Sequence, residues 1–495
     1  MFLHLFDEQN LRACSGFIPV PGPVRKLGPV AGTASPDAQA SPWALDAFSG
    51  CVLPRAPQDG GGHRAYVTAF HKDPQQMHRS RPFVCESDDG LNWSPRGLVE
   101  FADLPADFAG YLKQPSVLRL GDGRYRMYVW FHGQRKGDSV ARLGTAISDD
   151  GLAFRLERFD PPILYHINEL KRWGFEPGLT PEEAFQAQQQ ATAAQAGTQA
   201  PPPPSPQLLA TKRLRSNDST NVFRDPATGQ FVLYGVLFLQ NPLGSPRREE
   251  RDNARSLLRI IIRRTSDDGL TFSDPQIVLT PDALDPLDQQ FYYLSLHRQD
   301  GYHFGFLGDY EVAAQTMDLG LAVSRDGVAW RRPMRSPLLT RDPESFDSQS
   351  IYLADNLIDA GDDWLLLYRG GTLPHNTGSQ QHRQVTMAMA RVGKRRLIGM
   401  DTAGNRDARL LTAPLLLTQP RLTLDALVRG HLRAELCNAF GDPVPGYRRQ
   451  DFIPVQGDSR AHVLQWKGGP TAIFHHEPLS LRLEATDATL FALEV

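Results

Sequence analysis

The sequence predicts an all-β protein: a five-bladed β-propeller followed by a small C-terminal β-sandwich. Three observations predict it. A seven-residue string occurs four times, as SDDGLNW (Ser87–Trp93), SDDGLAF (Ser148–Phe154), SDDGLTF (Ser266–Phe272) and SRDGVAW (Ser324–Trp330). Each copy follows an apolar run that is itself preceded by two strand-like runs, so the repeating unit has four strands. The tail after Leu416 alternates apolar and polar residues without the string, as in RLTLDALVRGHLRAEL and LSLRLEATDATLFALEV. Repeated four-strand units are the signature of a propeller, and the alternating tail fits a sandwich.

The elements follow in order. Residues 1–40 are rich in Pro and Gly and are expected to wrap the propeller or cover a blade edge. The first unit pairs SGCVLPRA with HRAYVTAF across a Gly-rich turn. The second pairs QPSVLRL with RYRMYVWF across Gly121-Asp122-Gly123, and the third pairs STNVFRD with QFVLYGVLF across Ala227-Thr228-Gly229. The fourth pairs QFYYLSLHR with YHFGFLG across Gln299-Asp300-Gly301. The fifth pairs SQSIYLADNLI with DWLLLYRG across Gly361-Asp362 and ends in a degraded hairpin, where Val392-Gly393 replaces Asp-Gly. In the intact hairpins Gly supplies the positive φ of a two-residue turn, and the Ser and first Asp are expected to bond the turn's backbone. The closing Trp93, Phe154, Phe272 and Trp330 are expected between sheets. The Ala/Gln/Pro-rich stretch 181–206 reads as an insert, a short helix with an extended linker or a disordered segment. The propeller thus spans 1–415 and the sandwich 416–495.

Composition excludes several function classes. The 495 residues carry a net charge of −3, with 41% hydrophobic and 22% charged residues. No basic excess points to nucleic acid, and no apolar run reaches the ~18 residues of a membrane span. Cys14, Cys51, Cys85 and Cys437 stand far apart and read as ordinary thiols, not as a disulfide framework or zinc site. The start MFLHLFDEQN lacks a basic region and its apolar run is cut by Asp7 and Glu8, so a cytoplasmic protein is expected. Oligomeric state leaves no mark in the sequence.

The repeats also say where chemistry belongs. In an up-and-down blade, first strands begin on one face, and the hairpin between strands three and four lies on the other. The SDDG turns are therefore scaffold. The long segments 160–215, 240–258 and 372–384 emerge on the face where first strands begin, and long loops gathered on one face build sites. Stepping back four residues from the first-strand core positions Val52, Val117, Val222, Tyr292 and Ile351 gives Phe48, Lys113, Asp218, Asp288 and Asp347. Three carboxylates and a lysine in one register should converge at the channel mouth. Asp218, Asp288 and Asp347 are the candidate acid/base groups, with Glu311 a reserve acid. Candidate substrate-binding groups are His71, Lys113, Gln114, Trp130, His132, Asn221, Tyr292, Asp309, Arg369 and His375. Carboxylates accept from sugar hydroxyls and aromatic faces stack on sugar C–H faces, so the expected ligand is a carbohydrate. No dedicated cofactor or metal motif is present, although clustered carboxylates and histidines can hold calcium.

The S-x-D-G-x-x-W/F hairpins and inner-strand Asp cluster resemble the five-bladed glycosidases: invertases, levansucrases, arabinanases, β-xylosidases and the mannoside phosphorylases. Sialidase boxes carry one more residue between Asp and Gly. DSTNVFRDPATGQFVLY, SRDGVAW, SFDSQSIY and GDPVPGYRRQDFIPVQGDSRAHVLQWKGG resemble a glycosidase-like bacterial family with a C-terminal β-sandwich. The resemblance implies hydrolysis of a small glycoside or oligosaccharide by carboxylate acid/base catalysis. Two departures stand out: the first-blade Asp has no match in register, Asp46 lying nearby, and Gln289-Gln290 stands where a Glu acid is usual. Two alternatives follow. One is a phosphorylase that uses His71, Lys72, Lys113, Arg369 and His375 for phosphate; the other is a non-catalytic glycan-binding propeller.

Overall fold

The computed structural model describes residues 2–30, 41–56, 60–170, 214–240, 252, 257–377, 382, 384–404, 407–417, 421–474 and 477–495. The insert 181–206, most of the segments 160–215 and 240–258, and residues 378–381 and 383 of the segment 372–384 lie outside the described residues. No described helix is long and apolar enough to cross a membrane.

The chain divides into two compact units, Lys26–Arg331 with Leu339–Arg391, and Met1–Arg25 with Arg332–Leu338 and Val392–Val495. The larger unit is built of antiparallel sheets in sequence order. Strands Trp43–Pro54, His63–His71, Arg81–Ser87 and Ser94–Leu98 form the first, and Phe108–Arg119, Tyr125–Arg135, Asp138–Ser148 and Ala153–Arg158 the core of the second. Asn221–Arg224, Phe231–Gln240, Leu257–Ser266 and Gln276–Leu279 form the third. Gln289–Gln299, Tyr302–Glu311 and Thr316–Ser324 follow. A single parallel pairing, Met317 with Ser350, joins them to Ser350–Leu353, Asp363–Gly371 and Val385–Gly393. The outermost strand of this last group comes from the other end of the chain: Arg25–Pro29 pairs with Val385–Gly393. Residues from the chain's start thus cover a sheet edge that would otherwise be unpaired.

The four hairpins are scaffold, with a chemistry that differs in detail from the expectation. It is the second Asp, not the first, that shapes the turn. Asp89 Oδ1 accepts from the amides of Leu91 and Asn92 at 2.8 Å, and Ser87 Oγ accepts from Gly90 N at 2.9 Å. Asp150, Asp268 and Asp326 repeat the pattern. The first Asp is dispensable because Asp88 is solvent-exposed and Arg325 takes its place in the fourth copy. The turn is also longer than two residues, since the strand Arg81–Ser87 ends at Ser87 and its partner begins at Ser94. Each later hairpin is docked by the preceding sheet. Tyr66, Tyr128 and Tyr234 donate to the carbonyls of Gly151, Gly269 and Gly327 at 2.9, 2.8 and 2.5 Å. Trp93 and Phe154 are buried in the apolar layers.

First strands are laced to one another. Val117 N donates to Cys51 Sγ at 3.2 Å, Val222 N to Ser116 Oγ at 2.9 Å, Asn221 Nδ2 to Leu294 O, and Ser295 Oγ to Leu353 O at 3.1 Å. Asp355 closes the sequence: its amide donates to Gly50 O at 2.8 Å and its carbonyl accepts from Val52 N at 3.0 Å. Across the middle, Ser49 Oγ donates to Ser219 Oγ at 3.0 Å, joining the first and third sheets, which are not sequence neighbours.

The smaller unit holds one nine-stranded sheet built around two long strands, Thr423–Asn438 and Pro478–Glu494. It also takes in Phe2–His4, Leu11–Ser15 and Ile18–Pro21 from the chain's start and Ile398–Asp401 and Ala408–Thr412 from before Leu416. The division therefore falls at Val392 rather than at residue 416, because strands on both sides of 416 pair with Pro478–Glu494. Of residues 1–40, expected to wrap the propeller or cover a blade edge, residues 2–21 supply strands to this sheet and Arg25–Pro29 covers the edge at Val385–Gly393.

Candidate active site

The starts of the first strands are irregular, and that irregularity builds the site. Between Asp46 and Cys51 the first strand advances five residues, while its partner moves only from Thr68 to Tyr66. The bulge contains Ser49 at φ 48° and Gly50, where a Cβ would lie 2.4 Å from Tyr66 O. The second strand has a smaller slip between Lys113 and Ser116, with Gln114 at φ 58°. The bulge returns Asp46 to the mouth, where a fixed count had put Phe48. Phe48 instead packs beneath, 4.5 Å from the Tyr352 ring and 6.0 Å from that of Tyr292.

Two carboxylates anchor the cluster, Asp46 buried and Asp218 partly buried. Asp218 Oδ2 pairs with Lys113 Nζ at 2.6 Å. Asp46 faces His382 Nδ1 at 3.3 Å and Arg369 Nε at 3.8 Å. Burial alone would raise both carboxyls. Lys113 and His166 outweigh it for Asp218, as Arg369 and His382 do for Asp46, and both are held below the ordinary value. Lys113 loses by burial and gains more from Asp218, so it stays charged. A third carboxylate, Asp252, pairs with Arg259, which holds it down against the opposing effect of burial, and accepts from Tyr310 Oη at 3.2 Å.

Aromatic rings and neutral histidines line the space between these pairs. The guanidinium of Arg259 lies 5.1 Å from the Tyr292 ring and that of Arg369 lies 4.3 Å from the Tyr352 ring. Tyr352 Oη and His375 Nδ1 are 3.1 Å apart, and the His375 ring packs 4.5 Å from Tyr292. Tyr111 stacks on His132 at 5.5 Å, and Trp130 lies 5.6 Å from His166. Burial pushes His375 down to about 3, and burial with Lys113 takes His132 well below its usual value, so both imidazoles are neutral at pH 7. The Nε2 atoms of His132 and His375 have no hydrogen-bond partner among the described residues.

Of the residues singled out from sequence, Asp218, Lys113, Trp130, His132, Tyr292, Arg369 and His375 come together here. Others are placed elsewhere. Asp347 is fully buried against Lys26 Nζ at 2.5 Å and accepts from Asp342 N, a structural ion pair. Asp288 accepts from Ala313 N at 3.0 Å and fastens a turn. Glu311 is half-exposed and receives Thr316 Oγ1 at 3.3 Å. Asp309 packs over Gly320 on the neighbouring strand. Gln114 accepts from Ser219 N and Asn221 donates to Leu294 O, so both tie strands together. His71 accepts from Asp73 N at 3.1 Å in a surface turn. Sequence reasoning missed Asp252, Arg259, Tyr352, His166 and His382 as site residues. It left Asp46 out of register although Ser49-Gly50 inside a strand is a bulge signal. Among the described residues, no group of three or more His, Cys, Asp or Glu is arranged to hold a metal ion.

No family model matches the chain, and no curated protein matches it. Solved structures do. A glycoside hydrolase aligns over 75% of this chain and 92% of its own at 14% identity and a TM-score of 0.47. A glycosyl hydrolase from Bacteroides ovatus aligns over 75% and 94% at 12% identity, with a TM-score of 0.44. A third, described under the GH130 family of mannoside phosphorylases that contains hydrolases of β-1,2 mannosidic linkages in Candida mannan, aligns over 75% and 94% at 13% identity, TM-score 0.43.

Proposed function

We propose that the protein is a glycoside hydrolase acting on a small neutral glycoside or oligosaccharide. The observation that carries the reading is that buried Asp46 and partly buried Asp218, both held ionised by neighbouring cations, share one aromatic-walled cluster with Lys113. An ionised carboxylate in such a place can take a proton from water attacking an anomeric carbon, and Asp46 is the base we assign. Asp218 accepts from sugar hydroxyls while Lys113 keeps it charged. The leaving oxygen needs a proton, and Asp46, Asp218 and Asp252 are all held ionised. The phenols of Tyr292 and Tyr352, kept neutral by burial, are the proton-bearing groups of the cluster, and we assign donation to them. In this reading the repeated sheets are the blades of a five-bladed propeller, and the C-terminal sheet closes as a sandwich.

Charge balance favours water over phosphate as acceptor. Lys113, Arg259 and Arg369 face Asp218, Asp252 and Asp46, and His132 and His375 are neutral, so each of these cations is already matched by a carboxylate before a phosphate dianion arrives. One observation favours a second reading, a glycan-binding protein without turnover: no carboxyl of the cluster is held protonated at neutral pH. A single experiment separates the readings. Purified protein is assayed on aryl glycosides and oligosaccharides with and without phosphate, beside Asp46→Asn and Asp218→Asn. Phosphate-independent turnover lost in both variants supports the hydrolase. Turnover that requires phosphate supports a phosphorylase, and sugar-induced thermal stabilisation with no turnover supports the binding protein.

A further inference from the structure

The far ends of the first strands enclose a cavity of about 550 Å3, lined by residues 51–54, 116–119, 221–224, 296–298 and 355–359. The lining runs from the girdle of strand-to-strand bonds, at Cys51, Ser116, Asn221 and Asp355, to the far ends of these strands, and the strand-start residues Asp46, Lys113 and Asp218 are not part of it. Phe48 and the Ser49–Ser219 bond stand between the two ends. The cavity shares no lining residue with the Asp46–Lys113–Asp218 cluster.

The chemistry of this second space differs from that of the first. Arg119 and Arg224 end two of the first strands and Arg298 is next to last in a third, in the repeated pattern VLR, VFR and LHR, and all three line the cavity. Arg298 is paired with Asp225 at 2.8 Å. Arg119 and Arg224 spend their Nε protons on the carbonyls of Gly123 and Gly229, and neither faces a carboxylate among the described residues. The wall also carries Trp364, a flat partner for the C–H face of a sugar-sized ring. Asn221 is 3% exposed, lines the cavity, and its Oδ1 has no hydrogen-bond partner among the described residues. The lining holds two carboxyls: Asp355 is buried, and burial pushes it up to about 8, so at neutral pH it does not repel an anion, whereas Asp359 is solvent-exposed.

We propose that this cavity is a second ligand site, taking a sugar-sized molecule that bears a phosphate or carboxylate group. The anion meets Arg119 and Arg224, whose guanidinium forks suit either oxyanion. The body of the ligand lies on Trp364 and the apolar strand residues.

The test uses isothermal titration of the full chain with glucose 6-phosphate and with glucuronate, which separate the two anions, and with glucose as the neutral control. Wild-type protein is expected to bind at least one of the two anionic probes and to bind it more tightly than glucose. Arg119→Ala and Arg224→Ala, on exposed side chains that fold does not need, are each expected to weaken that binding roughly tenfold or more. Asp46→Asn, at the other end, is expected to leave it unchanged. No binding of either anion in the millimolar range, binding unaffected by both Arg substitutions, or binding lost in Asp46→Asn overturns the proposal.

Discussion

Asp46 and Asp347 show how two carboxylates at similar strand positions come to opposite roles. Both are buried, but Asp46 shares a polar cluster with a guanidinium and an imidazole, whereas Asp347 is sealed against one lysine and a backbone amide. Asp46→Asn and Asp218→Asn are expected to lower kcat by about a thousandfold or more with little change in Tm, measured on any substrate the screen yields. Asp347→Asn is expected to do the reverse. It breaks a buried pair, costs roughly 2 kcal/mol in chemical denaturation, and leaves turnover intact. The sign of the pH dependence follows from the same contacts. Asp46 is depressed below its ordinary 3.8, so its basic form persists into acid, and the acid limb of kcat/KM should fall below that value. An acid limb near neutrality would remove Asp46 as the base.

At the scale of the element, the hairpin string is a device for joining sheets. The second Asp closes the turn, Gly adopts positive φ, and the Gly carbonyl receives a tyrosine from the sheet before it, as Gly269 receives Tyr128. Tyr128 Oη is buried, so Tyr128→Phe leaves a carbonyl without its donor and should cost about 1–2 kcal/mol, read by urea denaturation, with activity retained. The bulge in Trp43–Pro54 is the converse device, a break in regularity that re-aims one side chain. Counting residues back from a repeated spacing works only where strands advance evenly, and here the starts of the first strands do not. That is why Asp218 and Lys113 were legible in sequence and Asp46 was displaced by two positions.

At the scale of the molecule, closure depends on groups far apart in sequence. Asp355 ties the start of the last sheet group to the first strand, and burial raises its carboxyl from 3.8 to about 8. A raised carboxyl contributes stability that is whole below its unfolded value and is lost as pH rises through the folded value. Between those limits Tm should therefore fall with rising pH, and Asp355→Asn should flatten that slope in a scan of Tm against pH. The edge strand Arg25–Pro29 is a second closure. Removing residues 1–29 bares Val385–Gly393 and deprives the C-terminal sheet of three strands, so the truncated chain should aggregate on expression, read by size-exclusion chromatography.

What the sequence determined by itself was whatever rests on local period and turn chemistry. Alternation over short runs, the fourfold string and its Gly set the sheets and their order, and the face argument made the hairpins scaffold. Lys113, Asp218, Trp130 and Arg369 were legible because they sit at strand positions that a repeat exposes. Tertiary structure alone decided what depends on distance through space. It brought Asp46 to the mouth through a bulge, it added His382 and Asp252 from segments with no repeat to index them, and it added Arg259 from the strand Leu257–Ser266. It also gave Asp347 to Lys26, and it placed residues 2–21 in a sheet with the last strand of the chain. The physical reason is that hydrogen-bond period is written in neighbouring residues, whereas the charge state of a buried carboxyl is written by whichever cation the folded chain sets beside it.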